Sequence, residues 1–184
     1  YSLAGIHPTD DMDAATHLVA AAACRSCKFL SGVNSGLELV SEKWLERSKK
    51  AGTLLDPTEY PLVDEVPGRL GLPRGYSMQD ALRKARASPL FEGLEVFFSR
   101  SCARDLAKVV TAGGGKAFRE LPSAKELKQR SPSDFIVCAM PEDMRTKPVK
   151  ALLSTGVPVY SKDLVVLGSL LQSLDDRKKF VQDK

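Results

Sequence analysis

Between Cys24 and Lys28 the chain reads CRSCK, and this short stretch holds the residues best suited to chemistry. Apolar residues recur at helical spacing from Cys24 to a glycine stop at Gly32, so the stretch is expected to form a helix. Arg25 and Lys28, spaced i and i+3, would then share one face as a single basic ledge. Lys28 would lie in the first turns, where the helix dipole adds to its own charge. A phosphate dianion is held by such a set: a lysine, a hydroxyl, and backbone N–H groups near a helix N-terminus. The competing reading is an ordinary solvated face, which is common for two cations on any helix.

Other chemistries find less support. Cys24 and Cys27 make a C-x-x-C, but a second ligand pair at zinc spacing is missing, His17 is the sole nearby candidate, and no thioredoxin-like context is visible. Gly113-Gly114-Gly115-Lys116 does not meet the phosphate-loop spacing and reads as a tight turn after a helix. With only His7 and His17, no histidine and carboxylate pair suggests a general base, and no Ser-His-Asp order is readable. The expectation is a protein that is not an enzyme and needs no metal, cofactor or small-molecule substrate.

Charge and hydropathy narrow the partners. Net charge is +4, from 27 basic against 23 acidic residues, which suits an acidic peptide but is too mild to demand nucleic acid, so direct DNA binding is not expected. The longest apolar stretches, such as Leu164 to Leu171, fall far short of a membrane span, and the N-terminus shows no basic region followed by an apolar one. A soluble, intracellular chain with four reduced cysteines follows as the expectation.

The elements that would position these residues repeat. Thr16 to Ala20 reads as a strand, followed by the Cys24 helix, a strand Leu37 to Val40, and a helix capped by Ser41 that carries Trp44 and ends at Gly52. Phe135 to Ala139, Val149 to Leu153, Val157 to Tyr160 and a helix capped by Ser161 repeat that order, which implies an internal duplication of roughly 90 residues. The second copy opens with a strand Leu94 to Phe98, a helix around Leu106, Val109 and Val110, and a glycine turn into another strand; the corresponding opening strand of the first copy is expected before Tyr1. Between the copies lies a Pro/Gly-rich stretch, Pro61 to Gly75, then a helix from Ser77 to Arg86 with Met78, Ala81, Leu82 and Ala85 on one face. Alternating strands and helices predict an α/β fold with parallel sheets flanked by helices, the two copies meeting around the linker helix. The expected boundaries are 1–64, 65–88 and 89–184.

These segments carry a resemblance. ATHLVA, CRSCKFLSG and LELVSEKWLERSKKAGTLLDPTEY resemble a first BRCT repeat, and GYSMQDALRKARASPLFEG is similar to the linker of tandem BRCT pairs in DNA-damage scaffold proteins. The resemblance implies two repeats, each a four-stranded parallel sheet flanked by helices, packed head to tail, with a nuclear role as a phosphoserine-peptide reader. It implies that Lys28 contacts the phosphate and that Ser26, usually threonine in the family, helps to orient the lysine. Arg25 would hold the main chain or terminal carboxylate of the residue three beyond the phosphoserine. The family's Ser/Thr-Gly half of the phosphate pocket has no match here and is expected before Tyr1. The groove for the +3 side chain would be lined by Leu30, by the loop Arg100, Ser101, Cys102 and Ala103, and by Lys162. Core packing is the other reading for Leu30 and Cys102, and a solvated helix face for Lys162. Trp44 is expected to be a buried structural aromatic. The implied partner is a phosphoserine-containing protein such as a phosphorylated histone tail, with a phosphate-independent scaffold as the alternative.

Overall fold

A computed structural model describes residues 5–62 and 70–182 of the chain. The first run of β-type residues forms β1 (His17–Ala20), which pairs in parallel with β2 (Glu38–Ser41), Leu18 opposite Leu39 and Val19 opposite Val40. Between them runs α1 (Cys27–Asn34), and β2 leads directly into α2 (Glu42–Ala51), which ends on Gly52 in the left-handed conformation. The linker supplies α3 (Met78–Ala87). The second half then forms β3 (Glu95–Phe98), α4 (Ala103–Ala112), β4 (Lys116–Phe118), α5 (Ala124–Lys128), β5 (Phe135–Ala139), α6 (Lys147–Ser154), β6 (Tyr160–Ser161) and α7 (Asp163–Leu171). Its four strands make one parallel sheet in the order β4-β3-β5-β6.

Both faces of this second sheet are covered, and the pleat divides its residues between two cores. Val96 and Phe98 of β3 and Ile136 and Cys138 of β5 face a core shared with α4 and α7. Phe97, Phe135, Val137 and Ala139 face the other way, onto Leu127 of α5 and Val149 and Leu152 of α6. The first core does not stop at the repeat boundary. It continues through Phe29, Leu30 and Val33 of α1, Leu39 of β2 and Met78 and Leu82 of α3, so the two halves and the linker helix bury one continuous apolar mass. Each such side chain withdrawn from water contributes about 1.5–3 kcal/mol.

The duplication is closer than element order alone suggests. From the start of α1 onward, equivalent residues lie 120 apart: Ser26 and Thr146 take the cap positions of α1 and α6, Gly36 and Gly156 both take left-handed φ values of 65° and 79°, and Trp44 on α2 matches Leu164 on α7. The difference in spacing between the copies is thus confined to the turn between β1 and α1. Trp44 is buried, donates its indole N–H to the Leu55 carbonyl at 2.8 Å and stacks on His17 at 5.1 Å. The linker helix is capped by Ser77 and buries Met78, Ala81, Leu82 and Ala85, while Arg86 ties it to the first repeat through the Gly36 and Leu37 carbonyls and the Glu38 carboxylate.

Several local expectations are corrected. The first helix begins at Cys27 and not at Cys24, because the Ser26 hydroxyl accepts from Phe29 N–H and fixes the helix start there. Ser41 holds the cap position of α2 without a side-chain cap bond, and Ser161 ends β6 while Lys162 takes the cap position of α7. Among the described residues the first sheet has two strands, with an antiparallel bridge from Val40 to Pro61 at its edge. Tyr1 to Ala4, the stretch 63–69 that contains the 64/65 boundary, and residues 183–184 lie outside the described residues.

At the seam between the repeats two buried amides meet. Asn34, at the end of α1, donates to the Val109 carbonyl of α4 at 2.8 Å and to the Ser169 hydroxyl of α7 at 3.0 Å, and accepts from Gln172 Nε2 at 2.7 Å. The glycine turn that ends α4 makes room for it: a Cβ on Gly113 would come 2.7 Å from Phe91 and 3.2 Å from the Asn34 amide. Replacing Asn34 with Ala removes the partner of the Val109 carbonyl and of one Gln172 N–H in a buried site, while Gln172 keeps its bond to the Ser169 carbonyl. The expected cost is about 1–3 kcal/mol, read as a lower urea midpoint at unchanged slope in a single transition.

Candidate functional site

Where α1 meets α4 and α7, the cations singled out from the sequence separate. Lys28 is the second residue of α1, and its ammonium, half exposed, bonds to the Asp10 carboxylate at 2.8 Å. That hydrogen bond and the lysine charge hold the Asp10 carboxyl below the usual carboxylate range. Beside the pair opens a cleft of about 490 Å³ lined by Asp10 to Asp13, by Cys27, Lys28 and Ser31 of α1, and by Lys108 and Thr111 of α4. Lys108, exposed and supplied by the second repeat, makes no ion pair among the described residues.

Arg25 faces elsewhere. It precedes the Ser26 cap and so lies off the helix, and its guanidinium reaches Asp163 at the start of α7, 3.5 Å away, across the repeat junction. The single basic ledge expected for Arg25 and Lys28 is therefore not formed. A helix start one turn earlier would have aligned them; the serine cap prevents it. Ser26 serves that cap, and its hydroxyl also lies 3.2 Å from the Cys24 sulfur.

Of the predicted groove residues, Leu30 and Cys102 share the core and Lys162 lies near Cys102, with unequal exposure. Leu30 is fully enclosed in the shared core, so it forms a floor beneath the junction and not an open wall. Cys102, at the cap position of α4, is buried in the same core. Burial pushes its thiol up to about 11, opposed by the nearby Lys162 ammonium and assisted by the Asp143 and Glu142 carboxylates. Such a thiol stays protonated and unreactive at neutral pH. Lys162 is exposed at the start of α7, next to the Arg25 and Asp163 pair in sequence. The side chain of Ala103 lies outside the described residues.

Ser101 has a partner that the sequence did not announce. Its N–H and hydroxyl both donate to the Asp143 carboxylate at 3.0 Å, fastening the loop after β3 to the turn before α6. Burial raises the Asp143 carboxyl, but hydrogen bonds from Ser99 and Ser101 and the charge of Arg100 outweigh that effect and leave it below the ordinary value. Lys108, Asp10, Asp163 and Asp143 are the site residues that sequence reasoning missed. Among the described residues no cluster of histidine, cysteine and carboxylate side chains could hold a metal ion, and no helix is long and apolar enough to cross a membrane.

Two parallel α/β repeats, joined by a linker helix and sealed by one helix of the first against two of the second, define a tandem repeat module. The BRCT domain profile matches residues 89–181, half of the chain, and the chain belongs to the BRCT family. It is 29% identical over 164 residues to Mediator of DNA damage checkpoint protein 1 of Homo sapiens, covering 86% of this chain and 7% of that protein. The chain thus spans a small fraction of the length of this relative. Among solved structures it is similar to the BRCT5-BRCT6 domains of S. pombe Brc1, with a TM-score of 0.70 and 23% identity over 91% of this chain and 82% of that one. It is also similar to Rtt107p in a complex with a phosphorylated histone, with a TM-score of 0.64 and 12% identity over 96% and 79% of the two chains.

Because the folded-state carboxyl of Asp143 titrates below its unfolded value, its contribution to stability is full above the ordinary carboxylate pKa and is lost as pH falls through the folded value. Asp143→Asn should therefore melt below the parent protein at pH 7, by about 1–3 kcal/mol, and the gap should close as the buffer is taken well below pH 4. Calorimetric Tm values of both proteins across that range check it.

Proposed function

We propose that this chain is a phosphoserine-peptide reader of a nuclear DNA-damage-response scaffold, acting as an interaction module and not as an enzyme. The observation that carries the reading is Lys28: an ammonium at the capped, positive end of an eight-residue helix, half exposed at the mouth of a cleft. Its partner Asp10 is fully exposed, so the pair is weak, and a dianion with three acceptor oxygens can displace it. In this reading Ser26 fixes the helix end that aims the lysine. Arg25, Ser101, Ala103 and Lys162 form the junction that receives the residue three beyond the phosphoserine, above a floor supplied by the buried Leu30 and Cys102. The repeats span 1–64 and 89–184, with the linker at 65–88. A phosphorylated histone tail is a ligand of the required chemistry, as a phosphorylated histone is for Rtt107p.

A phosphate-independent scaffold is the second reading, and one feature favours it. Asp10, Asp11 and Asp13 line the cleft beside Lys28 and oppose a second anion there.

Fluorescence titration with an oriented phosphoserine peptide library and its unphosphorylated twin separates the two readings. The reader predicts binding of the phosphorylated form at micromolar affinity or better, about 8 kcal/mol. It also predicts a loss of about tenfold or more in Lys28→Met, and a gain in Asp10→Asn, where the competing carboxylate is gone. Equal affinity for both peptide forms, or a folded Lys28→Met protein that binds the phosphopeptide unchanged, contradicts it.

A further inference from the structure

The 120-residue equivalence makes α6 the counterpart of α1 and maps one face onto the other. Leu30, Val33 and Asn34, which α1 buries against the second repeat, correspond to Lys150, Leu153 and Ser154 of α6. In α1 this face is sealed by two helices, α4 and α7. In α6 it is open: Lys150 and Ser154 are exposed, Leu153 is half-buried, and together with Pro141, Met144 and Arg145 they line a groove of about 430 Å³. The floor is apolar, since Met144 and Leu153 pack on the core beneath it.

The rim gives the groove a sign. Arg145, Lys147 and Lys150 are all exposed, and none makes an ion pair among the described residues. Of the two acids between Pro141 and Ser154, Asp143 is turned inward onto Ser101, which leaves the exposed Glu142 to offset three cations.

We propose that this groove docks an amphipathic helix of a partner protein, its apolar stripe on Met144 and Leu153 and its carboxylates on Arg145 and Lys150. The occupant is helical because the equivalent face of α1 takes helices. It is acidic because Lys150 stands where Leu30 stands in the first repeat, and a helix seated over that ammonium needs an opposite charge beside its apolar residues. The groove does not involve Lys28 or the junction, so the proposal stands apart from phosphopeptide binding.

The four methionines, Met12, Met78, Met140 and Met144, allow a direct test on the whole chain labelled at the methionine methyls. The probes are a synthetic helix of about 18 residues with leucines at i, i+3, i+4 and i+7 flanked by glutamates, and its twin with lysine for every glutamate. The proposal predicts a saturable shift of the Met144 methyl with the glutamate peptide, none at the buried Met78, and none with the lysine twin. Lys150→Glu, an exposed position that folding tolerates, should weaken the glutamate peptide by about tenfold or more and admit the lysine twin. Absence of a saturable Met144 shift, or equal affinity for the two peptides, overturns the proposal. So does a Met144 shift that grows with protein concentration in the absence of peptide, which makes the groove a contact between copies of this chain.

Discussion

The molecule depends on how α1 is seated, and a single amide decides that seat. Asn34 is buried at the end of α1, where it can be satisfied only if α4, α7 and the residue that ends α7 are all in place: the Val109 carbonyl, the Ser169 hydroxyl and the Gln172 amide close around it. Apolar contacts between Leu30, Val33 and their neighbours supply most of the free energy of the junction, but they tolerate sliding, whereas a buried amide with fixed partners does not. The polar contact sets the register and the apolar mass holds it. Arg25 reaches Asp163 and Lys28 opens onto a cleft walled by α4 because of that register.

The electrostatics of Lys28 and Asp143 differ in kind. Lys28 is engaged by a carboxylate wholly in water, so its pairing is readily screened and exchanged. Asp143 is mostly buried and draws its hydrogen bonds from a serine hydroxyl and a main-chain N–H, so it is a fixed brace between two loops. The surface pair exchanges with solvent and ions, and the buried brace does not.

The frame was largely legible in the sequence, and the side-chain partners were not. Strands, linker helix and duplication follow from periodicity and turn residues, and Trp44 was readable because a lone tryptophan behind a helix start has few other uses. The placement of Arg25 failed on one residue. Ser26 is a stronger cap than Cys24, and reading it as the helix start would have put the arginine off the ledge. Lys108 and Asp10 could not be read at all, since they approach Lys28 from segments 80 residues forward and 18 residues back, and only the seating of α1 brings them together. Serines at 41 and 161 looked alike as caps, yet Ser41 holds the cap position of α2 without the bond and Ser161 ends β6 one residue before the cap of α7.

A duplicated unit that joins its neighbour by one face and is joined by another is, in principle, an unending polymer: every copy offers what the next copy needs. The exchange of an aliphatic side chain at position 30 for an ammonium at position 150 breaks that symmetry. Helices like α4 and α7 seated on α6 would bury that ammonium unmatched, so the two copies of the unit are not interchangeable.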